Sequence, residues 1–111
     1  MMRRASAVAV ALVCGLPAGA AAQAPPRVDF RRDVQPIFRE HCYTCHGPDQ
    51  QMSGFRLDRR ADAMRGGSQS VIGPGNAEGS HMYRRVAGAP GGARMPPAGP
   101  LSSEQVAVVK A

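Results

Sequence analysis

Two different apolar patterns divide the chain. Residues 5–16 are an almost unbroken apolar run, interrupted only by Ser6 and Gly15. Beyond residue 27 the apolar positions become periodic: Phe30, Val34, Ile37 and Phe38 recur at i, i+4, i+7 and i+8, one face of a helix. Proline suits the first turn of a helix and not its middle. Pro36 therefore predicts a regular helix that starts near residue 36 and runs through Glu40, with Phe30 and Val34 packing from a preceding turn. Gly47-Pro48-Asp49 ends it, and Phe55-Arg56-Leu57 reads as a short extended piece. Asp58 is the expected N-cap of a helix over residues 59–65, closed by Gly66-Gly67. Asn76 is the expected cap of a helix over about residues 77–86, with Met82 and Val86 on one face. Residues 88–100 form a loop rich in Gly and Pro, and Ser102-x-x-Gln105 is a capping box for a last helix carrying Val106, Val108 and Val109.

The first apolar run is not part of this pattern. Met1-Met2-Arg3-Arg4 gives it a basic start, Pro17 and Gly19 break it, and Ala22-Gln23-Ala24 supplies a small-residue cleavage site. That is the layout of a secretory signal, so residues 1–24 are read as a leader and residues 25–111 as one domain. A membrane anchor is the alternative, but a span needs about 20 apolar residues, so no stable membrane span is expected after cleavage. Removing 24 of the 111 residues leaves 87, and takes Arg3 and Arg4 from the 14 basic residues. Twelve basic then face 8 acidic side chains, a net charge of +4. The arginines are scattered and few aromatics accompany them, so no nucleic-acid platform is expected. A modestly positive surface suits an acidic redox partner instead.

Composition adds a constraint on folding. The 87 residues hold 9 Pro, 11 Gly and no Trp. A chain this small and loop-rich buries too little apolar surface to be comfortably stable alone. Such folds need a staple, and only Cys42 and Cys45 remain beyond the leader.

Those two cysteines lie in Cys42-Tyr43-Thr44-Cys45-His46, the C-x-x-C-H spacing. Two thiols three residues apart can each add to one vinyl group of a haem, and the adjacent histidine can bind the iron as proximal ligand. A disulfide, a thioredoxin-like redox pair and a zinc site compete for the same cysteines. The redox pair belongs on a βαβ scaffold that this chain does not show. Zinc needs four ligands, so His41 or His81 would have to join Cys42, Cys45 and His46. The expectation is one covalently bound haem c.

A sixth ligand would come from Met52, Met64, Met82, Met95, His41 or His81. Met64 and Met82 fall at helical apolar positions and suit a core role. Met52 is only 6 residues past His46, and His41 precedes the motif on the proximal side. Met95 lies 49 residues past His46, in a loop stiffened by Pro96 and Pro97. It is the preferred distal ligand, with an exposed loop methionine as the ordinary alternative and His81 as runner-up. Methionine ligation gives a higher potential than a second histidine.

With these motifs assembled, the chain resembles the planctomycete-type cytochrome c domain, a small class I-like c-type cytochrome. The resemblance rests on Asp33-Val34-Gln35-Pro36-Ile37-Phe38, Cys42-Tyr43-Thr44-Cys45-His46-Gly47 and Gly54-Phe55-Arg56-Leu57-Asp58, then on Pro74-Gly75-Asn76 with Ser80, Met95-Pro96-Pro97 and Leu101-Ser102. It implies an all-α fold of short helices and Gly/Pro-rich loops around one covalent haem, with His46 proximal and Met95 distal. It implies electron transfer as the biochemical role; together with the leader and the lack of any other catalytic constellation, a one-electron carrier serving redox partner proteins in the periplasm or cell envelope, and not an enzyme, is expected. Two departures stand out. His81 occupies a position where the family more often has an aliphatic residue. The family's last helix usually continues through Trp-Ile, whereas here Lys110-Ala111 ends first, so an abbreviated helix or a piece of a longer reading frame is expected. The rival functions are accordingly a haem-bearing relay segment of a larger exported oxidoreductase and a haem-based sensor with an open sixth site.

Overall fold

The computed structural model describes residues 26–111, so the expected leader lies outside the described residues. The chain enters through a π-helical turn, Phe30–Val34. Two aspartates close that turn on each other: Asp29 Oδ1 accepts the Arg32 N–H at 2.8 Å, and Asp33 Oδ2 accepts the Asp29 N–H at 2.7 Å. The turn runs directly into α1, Gln35–His41, with Pro36 in its first turn as expected. Phe30 is half exposed and meets Phe38 edge-on at 5.9 Å.

The second helix, α2, spans Arg60–Arg65, and Arg59 rather than Asp58 is its N-cap. This corrects the Asp58 cap. The Asp58 carboxylate accepts from Arg56 Nε at 2.8 Å, a charge-assisted bond that holds it away from the helix N–H groups. Gly66, at φ 82°, ends α2 where expected.

The third helix, α3, spans His81–Ala87, four residues later than expected. Gly79 would have stood in the first turn, where glycine costs about 1 kcal/mol relative to alanine. Its N–H is taken instead by Asn76 Oδ1 at 2.9 Å. Ser80 is buried, its hydroxyl accepting the Gly73 N–H at 2.8 Å and lying 2.8 Å from the Asn76 carbonyl, to which it can donate. The segment before α3 is thus a side-chain-bonded turn, which competes with helix in the way short polar residues do.

The last helix, α4, spans Ser103–Lys110 with both bonds of the Ser102/Gln105 capping box formed. It packs against α3 and the π-helical turn. The described residues form helices and turns with no strand, only an isolated bridge between His46 and Gln51, consistent with the expected all-α class.

Two core clusters flank α1. Phe38 joins Phe55, Leu57 and Ala63 on one side; Ile37 joins Val86 and Leu101 on the other. Val109 of α4 packs against both. No side chain among the described residues is completely buried. The core is therefore thin, and both clusters border the same cleft.

Candidate functional site

The end of α1 delivers the C-x-x-C-H segment. The N–H groups of Cys42 and Tyr43 both donate to the Phe38 carbonyl at 2.9 Å, and the His46 N–H donates to the Cys42 carbonyl at 2.8 Å. The segment is thus one continuous turn that keeps both thiols and the imidazole together. Gly47 then has to be glycine: a Cβ there would lie 2.3 Å from the Tyr43 carbonyl oxygen. The chain turns back on itself, with Leu57 N–H on the His46 carbonyl at 2.8 Å and Met52 N–H on the Cys45 carbonyl at 2.9 Å.

This return places the Phe55 carbonyl 3.0 Å from His46 Nδ1. A carbonyl can only accept, so Nδ1 carries the proton and Nε2, on the far edge of the ring, is left with a lone pair. The Phe55 ring packs against the imidazole at 5.3 Å between centroids. A histidine held in one tautomer by a backbone carbonyl keeps its other ring nitrogen available to a metal ion.

Cys42 and Cys45 are both free thiols. Burial pushes the Cys42 thiol up to about 11. It is then a neutral S–H at physiological pH, the opposite of the lowered thiol of a thioredoxin-like pair. Among the described residues no three His, Cys, Asp or Glu side chains gather at one metal-sized point. His41, a possible zinc partner, instead lies 3.2 Å from the Gln105 amide through Nε2.

A cavity of about 340 Å³ opens beside Cys42 and His46. Its walls are largely apolar, from Phe55, Leu57, Val71, Met82 and Val86. Met95 lines it, and so does His81, so both preferred candidates for a sixth ligand reach the same space. A smaller recess of about 140 Å³ shares Cys42, His46, Ser53, Val86 and Met95 with the cavity and adds Cys45, His41, Met52 and the prolines that follow Met95. Met95 is held in place by its N–H, which donates to the Arg85 carbonyl at 3.0 Å, and it packs on the Ile37–Val86–Leu101 cluster. Met64 lines a different cavity, against Val28 and Phe30.

Sequence reasoning missed two members of this site. The Phe55 carbonyl is a backbone group whose position depends on how residues 47–57 fold back. Arg85 lines the cavity although the arginines read as scattered surface charge. The pairing of Arg84-Arg85 at a helix end before a glycine-rich loop is the signal that was available, because such a loop offers carbonyls to guanidinium groups.

Residues 42–99 match the family model of Planctomycete cytochrome C, 58 of the 111 residues. The chain belongs to this family. The match starts at the first motif cysteine and includes Met95. Membership brings a haem-binding, electron-transfer role with it. No curated protein and no solved structure matches the chain significantly.

The residues of this planctomycete-type cytochrome domain fit a haem. Cys42 and a tautomer-fixed imidazole border a largely apolar cavity, and Cys45, at the attachment spacing, lines the recess that adjoins it. Its volume falls within the ~300–1,000 Å³ of small-molecule and cofactor sites.

Proposed function

We propose that this chain is a c-type cytochrome that carries one electron at a time on a single haem c. Cys42 and Cys45 are the residues that would hold the macrocycle, each through a thioether bond. His46 Nε2 and the Met95 sulfur are the side-chain atoms that would bind its iron. When bound, the haem supplies a ferric/ferrous couple. The chain's own residues do the rest. Phe55 orients the imidazole and strengthens its basicity through the Nδ1–H bond. Phe55, Leu57 and Val86 form buried, apolar walls. Arg85, through its carbonyl, holds the Met95 backbone in the loop.

The observation that carries this reading is the His46 tether. It leaves Nε2 unprotonated in a residue that directly follows the two thiols and lines the cavity. The protein transfers electrons and performs no bond chemistry on a substrate. The basic, apolar leader at residues 1–24 supports export to the periplasm or cell envelope, where haem attachment to C-x-x-C-H takes place. No helix among the described residues is long and apolar enough to cross a membrane. Redox proteins with an acidic face are the partners that its positive charge suits.

The test is expression with and without a haem-attachment system. Haem that survives denaturation and extraction, present only with the system, supports the reading; colourless protein under both conditions contradicts it. A second reading, His46/His81 ligation, is favoured by His81 lining the same cavity. It predicts a lower potential and a bis-imidazole signature in the electron paramagnetic resonance of the ferric protein.

A further inference from the structure

Haem brings two carboxylates to a site whose walls are mostly apolar. A carboxylate taken out of water needs a cation or several donors, or it costs several kcal/mol. Among the described residues the cavity beside Cys42 and His46 has no aspartate or glutamate in its lining, and Arg85 is the one lysine or arginine there. The adjoining recess has none.

Arg85 is placed for this work by three features. It lies on α3 one residue before Val86, whose side chain is in the wall. Its Nη1 donates to the Ala93 carbonyl at 3.1 Å, which fixes the direction of the guanidinium. That position exists because residue 92 is glycine: a Cβ at Gly92 would come within 2.5 Å of the Arg85 Cζ. Among the described residues Arg85 forms no ion pair, whereas Arg32, Arg56 and Arg65 each hold an aspartate. Ser68 and Gln69 line the same cavity and add uncharged hydrogen-bonding groups.

We propose that Arg85 is the charge partner of a haem propionate and thereby a determinant of the reduction potential. This inference rests on the haem reading above. A guanidinium offers a rigid two-pronged donor to a carboxylate and stays charged at every physiological pH. By offsetting the propionate's negative charge it removes part of the field that favours ferric iron, and so holds the potential up.

Arg84 provides the control. It is the neighbouring residue, it is exposed, and its Nη2 donates to another carbonyl of the same loop, Pro90, at 3.2 Å. It does not line the cavity. R84Q and R85Q therefore each remove one positive charge and one loop contact, and only R85Q removes the cation from the cavity.

The experiment is a spectroelectrochemical titration of the holoprotein and of R84Q, R85Q and R85K, with absorption spectra to check ligation. R85Q is expected to lower the potential clearly more than R84Q, with R85K restoring most of the loss and all spectra alike. Loss of attached haem in R85Q but not in R84Q, rescued by R85K, supports the proposal equally, because only a need for charge is met by both Arg and Lys. Equal shifts in R84Q and R85Q, no shift in R85Q, or no rescue by R85K would overturn it. If the parent protein holds no covalent haem, it is the haem reading that fails, before Arg85 is in question.

Discussion

The Nδ1 atom of His46 lies 3.0 Å from the carbonyl oxygen of Phe55, nine residues further along the chain. This bond joins the motif to the core, because the Phe55 side chain is itself buried between Phe38 and Leu57. A change at Phe55 therefore acts on both stability and ligation. Phe55→Ala should cost about 3–5 kcal/mol, as for other large-to-small core changes, read from urea unfolding of the holoprotein. The parallel Phe55→Leu should keep most of the stability. If the alanine variant were as stable as the parent, the ring would not be part of the core.

Met95→Ala should leave the haem attached through Cys42 and Cys45 and open the sixth position. The reduced variant should then bind carbon monoxide, which the parent should not, and its potential should fall because methionine ligation raises it. His81→Ala should leave the spectrum unchanged. The opposite pattern, with His81→Ala opening the site and Met95→Ala silent, would transfer the distal role to His81.

Gly47→Ala should be severely destabilising although it adds only a methyl group. The new Cβ would meet backbone, the Tyr43 carbonyl oxygen at 2.3 Å, and backbone cannot step aside as a flexible side chain can. A loss on the order of 3–5 kcal/mol is expected, in the range that marks broken backbone geometry. Gly75→Ala is the comparison: nothing surrounds its Cβ within 4 Å, so only its positive φ of 73° opposes the change. Thermal unfolding of the two variants should separate them widely.

At the other end of α1, Arg32 and the Asp29 N–H hold the Asp33 carboxyl well below its ordinary value of 3.8, at about 2. A folded-state value below the unfolded one contributes stability above about pH 4, and that contribution fades as the pH falls toward 2. Asp33→Asn should thus be less stable than the parent at pH 5–7, with most of that gap gone near pH 2. Unfolding curves at the two pH values check this, and a gap as large at pH 2 as at pH 5–7 would show that the lost contact is not electrostatic.

Much of this architecture was legible because it depends on local chemistry. The Ser102/Gln105 box and the Gly66 stop need only residues within a few positions of each other, and both formed as expected. Pro36 located the start of α1 for the same reason. Asp58 and Asn76 misled because each had a nearer partner than the expected helix: Arg56 for one, the Gly79 N–H for the other. The motif cysteines, His46 and Met95 were each recognisable alone, and the fold brings them to connected cavities. What pattern could not supply was the return of residues 47–57, which sets the Phe55 carbonyl on His46, or the loop whose Ala93 carbonyl holds the Arg85 guanidinium. Both are tertiary arrangements of backbone carbonyls, which every residue type carries alike.

Cys42 and Cys45 are expected to carry one haem covalently. Intact-protein mass spectrometry tests it most directly, on protein matured with a haem-attachment system and then denatured and stripped with acidified organic solvent. A mass increased by one haem is expected, lost completely in the Cys42→Ala/Cys45→Ala double variant. A parent chain carrying no added mass, with its two cysteines free or joined as a disulfide, would contradict it.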